Sequence, residues 1–132
     1  MSQAEDSGGE AIADDVRRFI LTSIPSVPFM EAMLIFKALP GQPVPTRSVA
    51  ERLYVGERQA AALVEQLRQA RIVEAAGGGA HRYAPDAALA AMLDRLALAY
   101  VHNLIGVTRL IHSRTERMAQ QFADAFKFRK DR

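Results

Sequence analysis

The chain has 132 residues, 49% of them hydrophobic, with no cysteine and a formal net charge of +2. That length suits one domain with an ordinary core. The missing cysteines exclude disulfides and thiolate metal sites, and no apolar run approaches the roughly 18 residues of a membrane-spanning helix. Residues 1–10 are polar and acidic and do not read as a signal peptide, so the expected location is cytoplasmic and no membrane partner is expected.

The charge is unevenly spread. Residues 1–16 carry Glu5, Asp6, Glu10, Asp14 and Asp15 and no base. Residues 109–132 carry seven bases, Arg109, Arg114, Arg117, Lys127, Arg129, Lys130 and Arg132, against Glu116, Asp124 and Asp131. Such a basic end suits a polyanion partner. It equally suits a solvated helix terminus whose bases offset the helix dipole.

In chain order, residues 1–11 have little to bury and read as a disordered acidic leader. Asp14 and Asp15 then open a helix, with Val16, Phe19, Ile20 and Ile24 at helical spacing and Pro25 ending it. Ser26 suits the N-cap of a second helix, with Pro28 in its first turn. Phe29, Met30, Met33, Leu34, Phe36 and Leu39 make that helix apolar nearly all round, the mark of burial on several sides. Met30 and Met33 read as core filling, the alternative being an adaptable ligand pocket. Pro40, Gly41, Pro43 and Pro45 form a loop.

Thr46 suits the N-cap of a third helix carrying Val49, Ala50 and Leu53. A break at Tyr54-Val55-Gly56 leads to a fourth helix over about residues 57–70, with Ala60, Leu63, Val64 and Leu67 on its inner face. Ile72 and Val73 begin a strand, Gly77-Gly78-Gly79 makes a flexible tip, and Arg82-Tyr83 returns before Pro85 closes the hairpin. From Asp86 onward there is no proline and one glycine, Gly106. Leu89, Leu93, Leu96, Tyr100, Val107, Ile111 and Met118 recur at helical steps. They predict one long helix or two nearly collinear ones, roughly 55–60 Å in length. The same apolar stripe, Leu89, Leu93, Leu96, Tyr100, Val107 and Ile111, is the expected seam of a homodimer.

The segment from Ser48 to Leu67, SVAERLYVGERQAAALVEQL, followed by Ile72-Val73, the glycine tip and Arg82-Tyr83, resembles bacterial regulators of the MarR and PadR type. The resemblance covers residues 46–84. It implies a mainly α fold: a winged helix-turn-helix over 12–85 with a small β-hairpin wing, then a long C-terminal dimerisation helix over 86–132 with a basic aromatic tail. Ala50 matches the small position where the two helices cross, and Val55 the apolar plug of the turn. The implied function is a dimeric regulator of transcription that binds double-stranded DNA, the fourth helix entering the major groove and the wing approaching the backbone. On that reading Arg58 can bond guanine and Gln59 adenine, Ala61 and Ala62 suit a thymine methyl, and Gln66 faces the same groove. Arg47, Arg52 and Arg82 are candidates for phosphate.

Three residues or features fit a different role. Glu57 stands in the first turn of the fourth helix, where it repels phosphate. Gly56 offers no hydroxyl there. Residues 46–84 carry six arginines against four glutamates, a small excess for a domain that gains affinity by neutralising phosphates. The alternative is a winged-helix adaptor that binds protein without DNA. Its contact would be the C-terminal helix or the tail, where Phe122, Phe126 and Phe128 lie among Lys127, Arg129 and Lys130.

Nothing points to catalysis or a cofactor. His81, His102 and His112 are not clustered at a metal-ligand spacing, and Gly77-Gly78-Gly79 lacks the Lys-Ser/Thr of a phosphate loop. The chain is expected to be no enzyme and to hold no metal.

Overall fold

Pro25 sets the first boundary. The helix before it, α1 (Asp14–Ser23), closes with the Ile24 amide donating to the Ile20 carbonyl, and the next, α2 (Val27–Lys37), begins two residues beyond the proline. The computed structural model describes residues 11–130, with side chains described as far as Ala125. The acidic leader as far as Glu10, and the tail side chains Phe126, Lys127, Phe128, Arg129 and Lys130, lie outside that description.

The remaining elements are β1 (Val44–Pro45), α3 (Thr46–Leu53), α4 (Glu57–Gln69), β2 (Val73–Gly77), β3 (Ala80–Tyr83), α5 (Ala87–His102) and α6 (Leu104–Lys130). The fold is mainly helical with one small antiparallel sheet in the order β1-β3-β2. The chain divides into two compact units, Val27–Leu98 and the segments on either side of it. This differs from the expected grouping, which joined α1 to residues 12–85.

In the first unit, α2 is the central post. Phe29, Met30, Ala32, Met33 and Phe36 are all buried, and α2 packs on α3, α4 and β3. Met30 and Met33 therefore fill the core. Val49 and Ala50 of α3, and Ala60, Leu63, Val64 and Leu67 of α4, complete it, following the 3.6-residue period. β3 pairs with β2 through Val73–Tyr83, Glu74–Arg82 and Ala75–His81. The turn Gly77-Gly78-Gly79 runs at positive φ throughout, which glycine alone adopts without strain.

Two details correct the expectation. Val44 and Pro45 are not loop: they form an edge strand against His81 and Ala80, where proline is tolerated because its missing N–H faces no partner. Because that strand runs straight into α3, Pro45 occupies the N-cap place without a side-chain cap, and Thr46 is the first helical residue.

In the second unit α1 packs along α6. Val16 and Ile20 of α1 and Val107 and Ile111 of α6 are buried, and the Thr115 hydroxyl donates to the Pro25 carbonyl at 3.3 Å. The expected single or collinear C-terminal helix is replaced by two helices, sharply bent at Asn103. The Asn103 amide closes α5 on Ala99, and its side-chain Oδ1 accepts from the Gly106 amide at 2.8 Å. Asparagine is a strong N-cap because it offers a first-turn amide a partner, so one buried residue both ends α5 and starts α6. Gly106 fits because a Cβ there would lie 2.6 Å from Asn103 Nδ2.

Candidate nucleic-acid interface

The inner face of α4 is spent on the core, which leaves the opposite face open. Arg58, Gln59, Ala61, Ala62 and Gln66 are all exposed, a direct consequence of burying positions 60, 63, 64 and 67 on a helix of 3.6 residues per turn. Arg47 and Arg52 of α3 are exposed, and Arg82 of β3 is half-buried. All eight sequence-predicted residues lie in the unit Val27–Leu98, on α3, α4 and the hairpin.

Their charges are less free than the sequence suggests. Arg47 Nε lies 3.7 Å from Glu57 Oε2. Arg82 Nε donates to Glu74 Oε2 at 2.7 Å, as their facing positions in the β2–β3 ladder dictate. Arg68 grips both oxygens of Glu65, through Nε at 2.9 Å and Nη2 at 2.6 Å. These hydrogen bonds, with the charge behind them, hold the Glu65 carboxyl below its usual range and raise the Arg68 guanidinium. Three glutamates are thus each held by one arginine. Among the described residues Arg52 and Arg58 have no ion-pair partner.

Tyr54 is a residue that sequence reasoning passed over as part of the break. It is 94% exposed and sits at φ 58°, ψ 45°, capping α3 in the left-handed conformation. Glycine or asparagine is the usual occupant of such a place, and an aromatic ring in water gains nothing from burial. Its only sequence signal is the absence of glycine at the turn. Between Arg52 and Arg58 in the chain, it offers an open stacking surface.

The expected dimer stripe is placed differently from the interface residues. Leu93, Leu96, Val107 and Ile111 are fully buried within one chain, and Leu89 and Tyr100 are half-buried. The exposed large apolar side chains of α5 and α6 are instead Leu98, Val101, Leu104, Ile105, Met118 and Phe122. The stripe serves the chain's own core, because a helix buries its most regular apolar line first.

His102 and His112 are exposed, and His81 is half-buried on β3. Among the described residues no group of three His, Asp or Glu side chains converges to hold a metal ion. Compared with protein-family models, with curated proteins and with solved structures, the chain finds no match in any of the three.

Proposed function

We propose that this chain is a DNA-binding transcription regulator that acts as a homodimer, with residues 46–84 as a winged helix-turn-helix. The observation that carries the reading is the open face of α4. Arg58, Gln59, Ala61, Ala62 and Gln66 are exposed together, and they combine base-edge donors with methyl groups, the chemistry of a major-groove reader. The order α3, turn, α4, β2, β3 supports it, as does the resemblance to MarR- and PadR-type regulators. Arg47, Arg52 and Arg82 would hold phosphates on either side.

The adaptor reading is favoured by the Arg47–Glu57 and Arg82–Glu74 pairs. They neutralise two of the three candidate phosphate contacts. Titration of labelled duplex DNA at about 50 mM and about 200 mM salt separates the two. A regulator binds at low salt and loses affinity steeply at high salt. No binding to any duplex at the low-salt condition rejects the regulator and leaves the adaptor.

A further inference from the structure

We propose that a cleft formed by α1 and Arg117 of α6 binds a small organic phosphate monoester, held by the guanidinium groups of Arg18 and Arg117. The site belongs wholly to the second unit and rests on neither the DNA-binding nor the dimer reading.

The pattern of α1 sets it up. Val16 and Ile20 go to the core. Asp14, Arg17, Arg18, Leu21 and Thr22 fall on a different face, at the alternating steps of three and one that keep residues on one side of a helix. These residues and Arg117 line a cleft of about 510 Å³ that stands open to solvent, a size that suits a small molecule. Along α1 the lining begins at Asp14, passes Arg17 and Arg18 a turn later, and ends a further turn on at Leu21 and Thr22.

The chemistry of the lining selects the ligand. Its charged side chains are three arginines and Asp14. A guanidinium keeps its proton, so like charges gathered in one cleft are relieved only by an anion. Arg17 already makes another interaction and is not needed. Among the described residues Arg18 and Arg117 have no ion-pair partner, although Asp14 stands four residues before Arg18, a spacing at which such pairs form. Two open guanidinium groups match the double charge of a phosphate monoester, and each presents a planar fork of donors to its oxygens. The Thr22 hydroxyl adds no donor, because it is spent on the Arg18 carbonyl at 2.9 Å. Leu21 is half-buried and offers an apolar wall to the organic part of the ester. Asp14 repels a second phosphate at its end of the cleft, which favours a compact monoester over a run of nucleic-acid backbone.

Isothermal titration calorimetry of the full chain with phenyl phosphate, at about 50 mM salt where charges are little screened, tests the site. The expected result is saturable one-to-one binding, with benzoate, a monoanion of similar shape, binding more weakly. Arg18→Gln and Arg117→Gln each weaken phenyl phosphate by about tenfold, with helical circular dichroism unchanged because both side chains are exposed. Arg71→Gln, at an exposed arginine outside the cleft, leaves binding as it was. No saturable binding by the native chain overturns the proposal, as does binding that withstands both substitutions in the cleft. A labelled duplex separates the two sources of phosphate. Its affinity is expected to be the same in Arg18→Gln and Arg117→Gln as in the native chain, and a loss there would assign these arginines to the nucleic-acid backbone and overturn the monoester. The calorimetry contains no DNA, so failure of the regulator reading leaves its result standing.

Discussion

Arg47 and Glu57 face each other across the α3–α4 turn at 3.7 Å, so the first turn of one helix neutralises the first turn of the next. Both side chains are largely in water, at 75% and 65% exposure, where such pairs contribute little to stability. Their effect is on the surface potential: an arginine suited to phosphate is occupied by a carboxylate suited to the helix dipole. Glu57→Gln removes the carboxylate charge and frees Arg47. Duplex DNA should then bind more tightly, with the salt slope steeper by about one phosphate contact, while stability falls by no more than the roughly 0.3–1 kcal/mol of the lost interaction with the helix dipole. Unchanged DNA affinity in this variant would place the face away from phosphate.

Arg58 and Arg82 should separate base reading from backbone holding. Arg58→Ala is expected to cost about 1–3 kcal/mol of binding and to flatten the preference among sequences. Arg82→Ala should weaken all duplexes alike and lower the salt slope by at most about one unit, less if Glu74 retains part of the charge. Binding measured on a panel of randomised duplexes checks both. Equal, sequence-independent losses would remove the base-reading role of Arg58.

Tyr54 tests whether strain is kept for a purpose. The left-handed conformation costs an ordinary residue about 1–2 kcal/mol, and glycine returns part of that as chain entropy. Tyr54→Gly should therefore stabilise the fold by about 0.5–1 kcal/mol in urea unfolding, because a 94% exposed ring gives up no packing. Duplex binding should fall in the same variant if the ring stacks on the partner. Higher stability with unchanged binding would make the tyrosine incidental.

Asn103 and Gly106 should behave as one unit. Asn103→Ala removes the cap of α6 and is expected to cost about 0.5–2 kcal/mol. Gly106→Ala should destabilise the native chain, since its Cβ would meet the Asn103 side chain at 2.6 Å. In the Asn103→Ala background the same change should reverse sign and stabilise by about 0.5–1 kcal/mol, the usual gain of alanine over glycine in a helix. A double-mutant cycle by urea unfolding reads the coupling; additive effects would contradict it.

Tyr83 carries the pH dependence. Its hydroxyl is buried without a hydrogen-bond partner. Burial first, and then the negative charge of Asp94, push its pKa up to about 12. The unfolded chain ionises this phenol near pH 10, so between there and about pH 12 the unfolded state binds fewer protons and stability falls as pH rises. Below pH 10 the contribution is fully present. Tyr83→Phe should leave stability at neutral pH unchanged or slightly higher, because an unpaired buried hydroxyl is removed. It should also flatten the decline above pH 10 in thermal melts. An identical alkaline slope in the variant would assign the decline elsewhere.

Several features were legible from sequence because their causes are local. Pro25 ends α1, Gly77-Gly78-Gly79 turns the hairpin, and the spacing of Ala60, Leu63, Val64 and Leu67 orients α4. That orientation leaves the whole candidate set of Arg58, Gln59, Ala61, Ala62 and Gln66 outward. Each depends on residues within a turn or two of chain.

The tertiary structure alone decided where elements met partners distant in sequence. Val44 and Pro45 become a strand only because β3, over thirty residues later, offers its edge. The apolar stripe of α5 and α6 read as a surface awaiting a second chain, yet Leu93, Leu96, Val107 and Ile111 are covered within one chain. In the same way Arg47 and Arg82 looked free until Glu57 and Glu74 came within reach. Periodicity determines which face of a helix is apolar. It carries no information about what covers that face, because burial and ion pairing are set by distances through space rather than along the chain.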